Sequence, residues 1–294
     1  MNATLPVIAG ALLASSLLSP GQDPDVPPPN PRLVRLEREV EAQPDDARLW
    51  YRLGRAYFFA ARRGDDDAAG KAVAAFEKVR ELAPERDVSY HLGTAYMTQL
   101  AVLTSNGTSP ERQRALVERA RTEFEAGLEL RPDDAKLISG LGMATALRAF
   151  VTRQFQQLGP GIELLDRGVS VAPDEVHPRL ARAFTLQGLP PRMGQTDKVA
   201  EDLGFLIDHA EDRENAQAAG VLHVFLGDLL SGAEQPAQAR PHYETAAELA
   251  STAASEARAR LDALRGGAVD AASIRAFRGT ALRCASCHGR NDGE

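Results

Sequence analysis

What is scarce in this chain narrows its function first. Only two cysteines occur in 294 residues, and they sit together at Cys284 and Cys287. A closed zinc site would need two more ligands, and no second Cys-x-x-Cys pair exists to supply them. Positive charge is not in excess. The net charge of −7 argues against general nucleic-acid binding. Aromatic residues make up 5% of the chain while alanine and leucine are abundant, a balance that favours helices. Long apolar runs are scarce too. Leu5–Leu18 is an uncharged run of 14 residues, too short to span a bilayer comfortably. There is no phosphate-cradling glycine loop, nucleophile elbow, H-E-x-x-H motif or telling carboxylate pair, so no hydrolytic or nucleotide chemistry stands out.

The apolar run suits the core of an export signal, and Ser19-Pro20-Gly21 gives it a cleavage context. Residues 1–21 are therefore expected to direct the chain to the periplasm or another extracytoplasmic space. An uncleaved anchor or a buried helix would also fit, since Met1-Asn2 brings no Lys or Arg. No cysteine follows the run, which speaks against a lipid anchor. Residues 22–31 (QDPDVPPPNP) are proline-rich and predict a stiff, extended spacer.

The body, residues 32–250, repeats. Trp50-x-x-Leu53-Gly54-x-x-Tyr57 is followed by Ala72-x-x-x-Phe76 and Pro84. Leu92-Gly93-x-x-Tyr96 pairs with Ala120-x-x-x-Phe124 and Pro132, and Leu141-Gly142 with Leu165, Gly168 and Pro173. Leu180-Ala181-x-x-Phe184 pairs more loosely with Val199, Leu203 and Leu206, and Leu226-Gly227-x-x-Leu230 with Ala239-x-x-x-Tyr243. The pattern resembles the tetratricopeptide repeat. That resemblance implies an all-α solenoid of about five helical hairpins, whose groove docks a protein partner. The recurring glycines predict close helix approach, and residues 251–266 predict a capping helix. Insertions predict wide turns at Ala61–Gly70, Ser105–Pro110, Leu158–Gly161 and Gly188–Gly194, with Ser109 capping a helix that starts at Pro110.

The last stretch, residues 267–294, carries Cys284-Ala285-Ser286-Cys287-His288. C-x-x-C-H is the attachment signal of c-type haem. Two thiols at this spacing can each add to one vinyl group, and the following histidine falls beneath the iron. A redox-active dithiol, or a disulfide or metal half-site, are the other readings of this pair. A short helix, Ser273–Arg283, leads into the motif. Together they resemble the first helix and haem-binding turn of class I c-type cytochromes. The resemblance implies thioethers at Cys284 and Cys287 and axial ligation by His288. Such cytochromes continue for several helices and supply a distal methionine, whereas six residues follow His288 here. The sixth iron ligand is then expected from the body of the chain, another subunit or a small molecule, unless the position stays open. Met193, in a proline-flanked loop, and His242 are the candidates, with His91, His177, His209 and His223 as other imidazoles.

These features predict an exported scaffold carrying one covalent haem c. Its expected work is electron transfer to a redox protein or membrane complex rather than substrate turnover. A cofactor-free interaction module, as in cytochrome assembly, is the alternative. A thiol–disulfide protein is the third reading.

Overall fold

The computed structural model describes residues 31–267, apart from 64 and 106, together with 269 and 274. The expected export signal, the linker up to residue 30 and the Cys284–His288 motif lie outside the described residues. Among the described residues there are twelve α-helices and no strand. The architecture is all-α and built from hairpins, as the sequence predicts. The chain divides into two compact units, one ending at Asp133 and one beginning at Asp134.

The first unit holds α1 (Pro31–Ala42), α2 (Ala47–Arg62), α3 (Ala68–Leu82), α4 (Ser89–Ser105) and α5 (Pro110–Leu130). Helices α2 and α3 form one hairpin, and α4 and α5 the next. Local chemistry sets the ends. The Asp46 carboxylate accepts the amides of Arg48 and Leu49 at the start of α2. Ser109 caps α5 by accepting the amide of Arg112, and Pro110 follows at the first helical position, where no amide is needed. Pro84 and Pro132 stand two residues beyond the ends of α3 and α5 and bar their continuation.

The glycine register explains how the hairpins close. A Cβ at Gly54 would lie 2.9 Å from Cε1 of Phe76, and one at Gly93 would lie 2.6 Å from Cε1 of Phe124. Each ring fills the space that its glycine leaves. Phe124 is fully buried and has nowhere to move. Gly93→Ala is therefore expected to cost about 1–3 kcal/mol through overpacking. Gly204, mid-helix in the second unit, has nothing within 4 Å of its would-be Cβ. There alanine should stabilise by about 0.5–1 kcal/mol. Urea denaturation of the two variants tests the contrast, and shifts of the same sign would contradict it.

A second contact repeats in the same register. Tyr57 donates to Glu37 on α1 at 2.6 Å, and Tyr96 donates to Glu77 on α3 at 2.7 Å. Burial, helped by the Glu77 carboxylate, pushes the Tyr96 phenol up to about 12. Thus α1 stands toward α2 as α3 stands toward α4. The sequence pattern does not single out this partnership of α1 with α2.

The second unit holds α6 (Ala135–Val151), α7 (Leu158–Val171), α8 (Val176–Leu186), α9 (Thr196–Asp212), α10 (Ala216–Gly232), α11 (Pro236–Glu248) and α12 (Ala254–Arg265). Three hairpins, α6/α7, α8/α9 and α10/α11, precede α12. With the two of the first unit they make five. Here too glycine meets bulk. A Cβ at Gly142 would lie 2.9 Å from the backbone nitrogen of Leu165, and one at Gly227 would lie 2.5 Å from Cε1 of Tyr243. Phe184 and Phe225 meet edge to face at 5.2 Å in a core that also holds Leu165, Leu203 and Tyr243.

Two expectations about the turns need correction. Leu158–Gly161 is not a turn but the first turn of α7. The chain reverses earlier, through Arg153 at φ 57 and a short 3-10 turn at Phe155–Gln157. Pro160 is tolerated because an amide in the first turn has no intrahelical partner to lose. The Ala61–Gly70 insertion is half helical, since α2 runs to Arg62 and α3 begins at Ala68, which leaves a shorter connection than the sequence predicts. The expected turns at Ser105–Pro110 and Gly188–Gly194 are observed, the latter with Gly194 in the left-handed region at φ 67.

Candidate functional site

The sequence leads one to expect site chemistry at residues 284–288, which follow α12, so what holds α12 matters. Arg260 donates to Asp228 of α10 at 2.9 Å, and Asp228 also accepts from Tyr243 of α11 at 2.8 Å. Arg260 and Asp228 are both at least 97% buried, with relative exposures of 3% and 0%. Burial raises the Tyr243 phenol, and the Asp228 charge raises it further. The last helix is thereby locked to the last hairpin. Gly266 and Gly267 end it, Gly267 at φ 116. Beyond the break, Val269 packs against the hydrophobic cluster that contains Tyr243. Ile274 is 8% exposed. Cys284, Cys287 and His288 themselves lie outside the described residues.

The candidates for the sixth ligand differ sharply. Met193 ends the 3-10 turn Pro191–Met193 and is 38% exposed. Its amide donates to the Pro190 carbonyl at 2.9 Å and its carbonyl accepts from Gln195 at 3.1 Å, so the backbone of this exposed residue is held.

His242 is half-buried on α11 and faces another histidine. Its Nδ1 lies 3.1 Å from Nδ1 of His223 on α10. Nε2 of His223 lies 3.3 Å from Oε1 of Glu211 on α9. Burial, with the neighbouring His223 acting in the same direction, lowers the pKa of His242, so its imidazole stays neutral and keeps a lone pair. A neutral imidazole is the form that binds metals. Sequence reasoning names both histidines but not their contact. The available signal is the register that sets Gly227 against Tyr243, because His223 lies one turn before the first and His242 one residue before the second.

His91 is built into the packing of the first unit. Nε2 of His91 lies 3.0 Å from the Tyr51 hydroxyl, and its ring packs on Tyr51, Phe76 and Tyr90. Burial, reinforced by Arg55 and Arg86, lowers its pKa from 6.5 to about 4. The sign follows from where protons bind. Below pH 6.5 the unfolded chain takes up a proton that the native imidazole refuses, so stability falls until the native form also protonates near pH 4. His91 should therefore account for about 3 kcal/mol of stability lost over that interval. Urea denaturation at neutral pH and near pH 4 measures the loss, and His91→Gln should shrink it. An unchanged difference in the variant would refute the assignment. His209 stacks on Phe205 at 6.3 Å between ring centroids. His177 is the second residue of α8.

Among the described residues no group of three or more His, Cys, Asp or Glu side chains is arranged to hold a metal ion. Among them, too, no helix is long and apolar enough to cross a membrane. No family model matches the chain, and no curated protein matches it.

Proposed function

We propose that this chain is an exported, tetratricopeptide-like scaffold that carries one covalent haem c on its C-terminal tail and passes electrons within a protein complex. The observation that carries the reading is Cys284-Ala-Ser-Cys287-His288, holding both cysteines of the chain at the attachment spacing with the histidine in place. Cys284 and Cys287 would form the thioethers, and His288 would bind the iron. The apolar segment Leu5–Leu18 supports the reading, because haem attachment takes place outside the cytoplasm. The helical hairpins support it in a second way, since stacked pairs offer extended surfaces for a partner.

Bound haem would supply a one-electron iron centre. The repeat units would dock the protein partner, a redox protein or a membrane complex. The visible spectrum of protein purified from a haem-attaching host tests this. Soret and α-bands of a c-type haem that survive acid–acetone extraction are expected. A colourless protein with two free thiols would overturn the reading and leave a cofactor-free interaction module.

A further inference from the structure

Charge is segregated within the first unit. Helices α2 and α4 carry no acidic residue between them, whereas α3 holds two glutamates and α5 five. Arg35, Arg80, Arg121 and Arg131 of this unit are each paired with a carboxylate. Arg55, Arg62 and Arg86 are not. All three are half-buried, and none has a carboxylate partner among the described residues. An exposed arginine without a partner is simply solvated, but one drawn out of water has lost hydrogen bonds that nothing replaces.

The three share one strip. Tyr51, Arg55, Phe58 and Arg62 follow one another at helical spacing along one face of α2. Beside them stand Tyr90 and His91 at the start of α4, with Arg86 just before that helix. The Arg86 guanidinium lies over the Tyr51 ring at 4.0 Å, and that of Arg62 over the Phe58 ring at 5.6 Å. The Tyr51 hydroxyl is 3.0 Å from Nε2 of His91. Arg55 and Arg86 both act on the His91 imidazole, and Tyr90 acts on Arg62, so the groups lie close together across the two helices. Asp87, the acid nearby, is already engaged: it accepts from Arg131 at 2.6 Å and from the Ser89 amide at 2.9 Å. Burial lowers the Arg62 pKa, which an incoming carboxylate would reverse. A guanidinium stacked on an aromatic face keeps its N–H edge for such a group.

We propose that this strip between α2 and α4 docks an acidic, extended segment of the protein partner, whose carboxylates are received by Arg55, Arg62 and Arg86. The inference rests on the reading of the hairpins as a docking surface and not on the haem. Charge complementarity names the occupant, and Tyr51, Phe58 and Tyr90 give it flat walls to lie against. From Tyr51 to Arg62 the strip runs about 16 Å, the length of about five extended residues. The net charge of −7 disfavours a long polyanion such as nucleic acid on the same strip.

Fluorescence anisotropy of the full-length protein with a labelled glutamate–serine repeat peptide provides the test. Binding that weakens as salt rises is expected, with none for the matched glutamine–serine peptide. Arg55→Gln and Arg62→Gln should each weaken it about tenfold. Arg112→Gln makes the same charge change at an exposed position of α5 and should leave it nearly unchanged. Circular dichroism melting should show Arg62→Gln as stable as the parent, since that side chain has no ion pair to lose. Absence of binding, equal binding of the glutamine peptide, or an equal loss in Arg112→Gln would overturn the proposal. So would tighter binding of a labelled single-stranded oligonucleotide. Each of these results leaves the covalent haem to its own spectrum, and a colourless protein that still bound the glutamate peptide would overturn the haem alone.

Discussion

Asp202→Ala should destabilise the second unit by about 3–5 kcal/mol, the largest loss expected from a single side chain outside the tail. Asp202 is fully buried and Arg182 is 7% exposed. Two bonds join them, from Nε of Arg182 at 2.7 Å and from Nη2 at 2.9 Å. Arg179 adds a third at 3.1 Å, and Asp166 takes the remaining reach of Arg182 at 2.9 Å. Burial works against the Arg182 charge, but the hydrogen bonds and charges of Asp202 and Asp166 outweigh it and hold the guanidinium above its ordinary value. Removing Asp202 leaves that guanidinium in a dry site with one half-exposed partner. The pair itself is worth much less than its breakage, because both ions were taken out of water to make it. Arg182→Met combined with Asp202→Leu should therefore recover most of the loss. Equilibrium urea denaturation of the single and double variants measures this. If the double variant fell by the sum of the singles, the stranded-charge explanation would be wrong.

The second large effect concerns the tail. Cys284→Ala with Cys287→Ala should abolish covalent haem completely. It should leave helix content and the thermal midpoint of the body nearly unchanged. The two cysteines follow α12 in the chain, and α12 is held to the last hairpin by the Arg260–Asp228 bond, which involves no thiol. Denaturing gel electrophoresis with haem-peroxidase staining reads the first half, and circular dichroism melting reads the second. Haem staining that persists in the double variant would place the attachment elsewhere. Collapse of the fold would mean that the motif serves structure instead.

Much of the fold is legible because it rests on local rules. Gly54, Gly93, Gly142 and Gly227 recur in register with Phe76, Phe124, Leu165 and Tyr243, and each pair meets as a close approach between two helices. Ser109-Pro110 announces a helix start, and Pro84 and Pro132 announce ends. What escapes the sequence depends on contacts across helices. The partnership of α1 with α2 shows in the Tyr57–Glu37 bond, which no spacing reveals. Leu158-Gly159-Pro160-Gly161 has turn composition, yet proline is also at home in the first turn of a helix, and packing decides between them. Arg182 and Asp202 stand 20 residues apart, and only the packing of α8 on α9 buries them against one another.

The candidate site divides along the same line. The proposed haem motif can be read from sequence alone because covalent attachment needs residues close together in the chain. A sixth ligand could not be, because it would depend on which side chains the hairpins bring to one place. His223 and His242 stand 19 residues apart, and only the crossing of α10 and α11 joins them.

The intact mass of the native polypeptide tests the central claim most directly. A single species heavier than the chain by one haem, with the added mass retained on the peptide containing Cys284 and Cys287, is the expected result. A mass equal to that of the polypeptide alone, after expression where haem attachment operates, would contradict it.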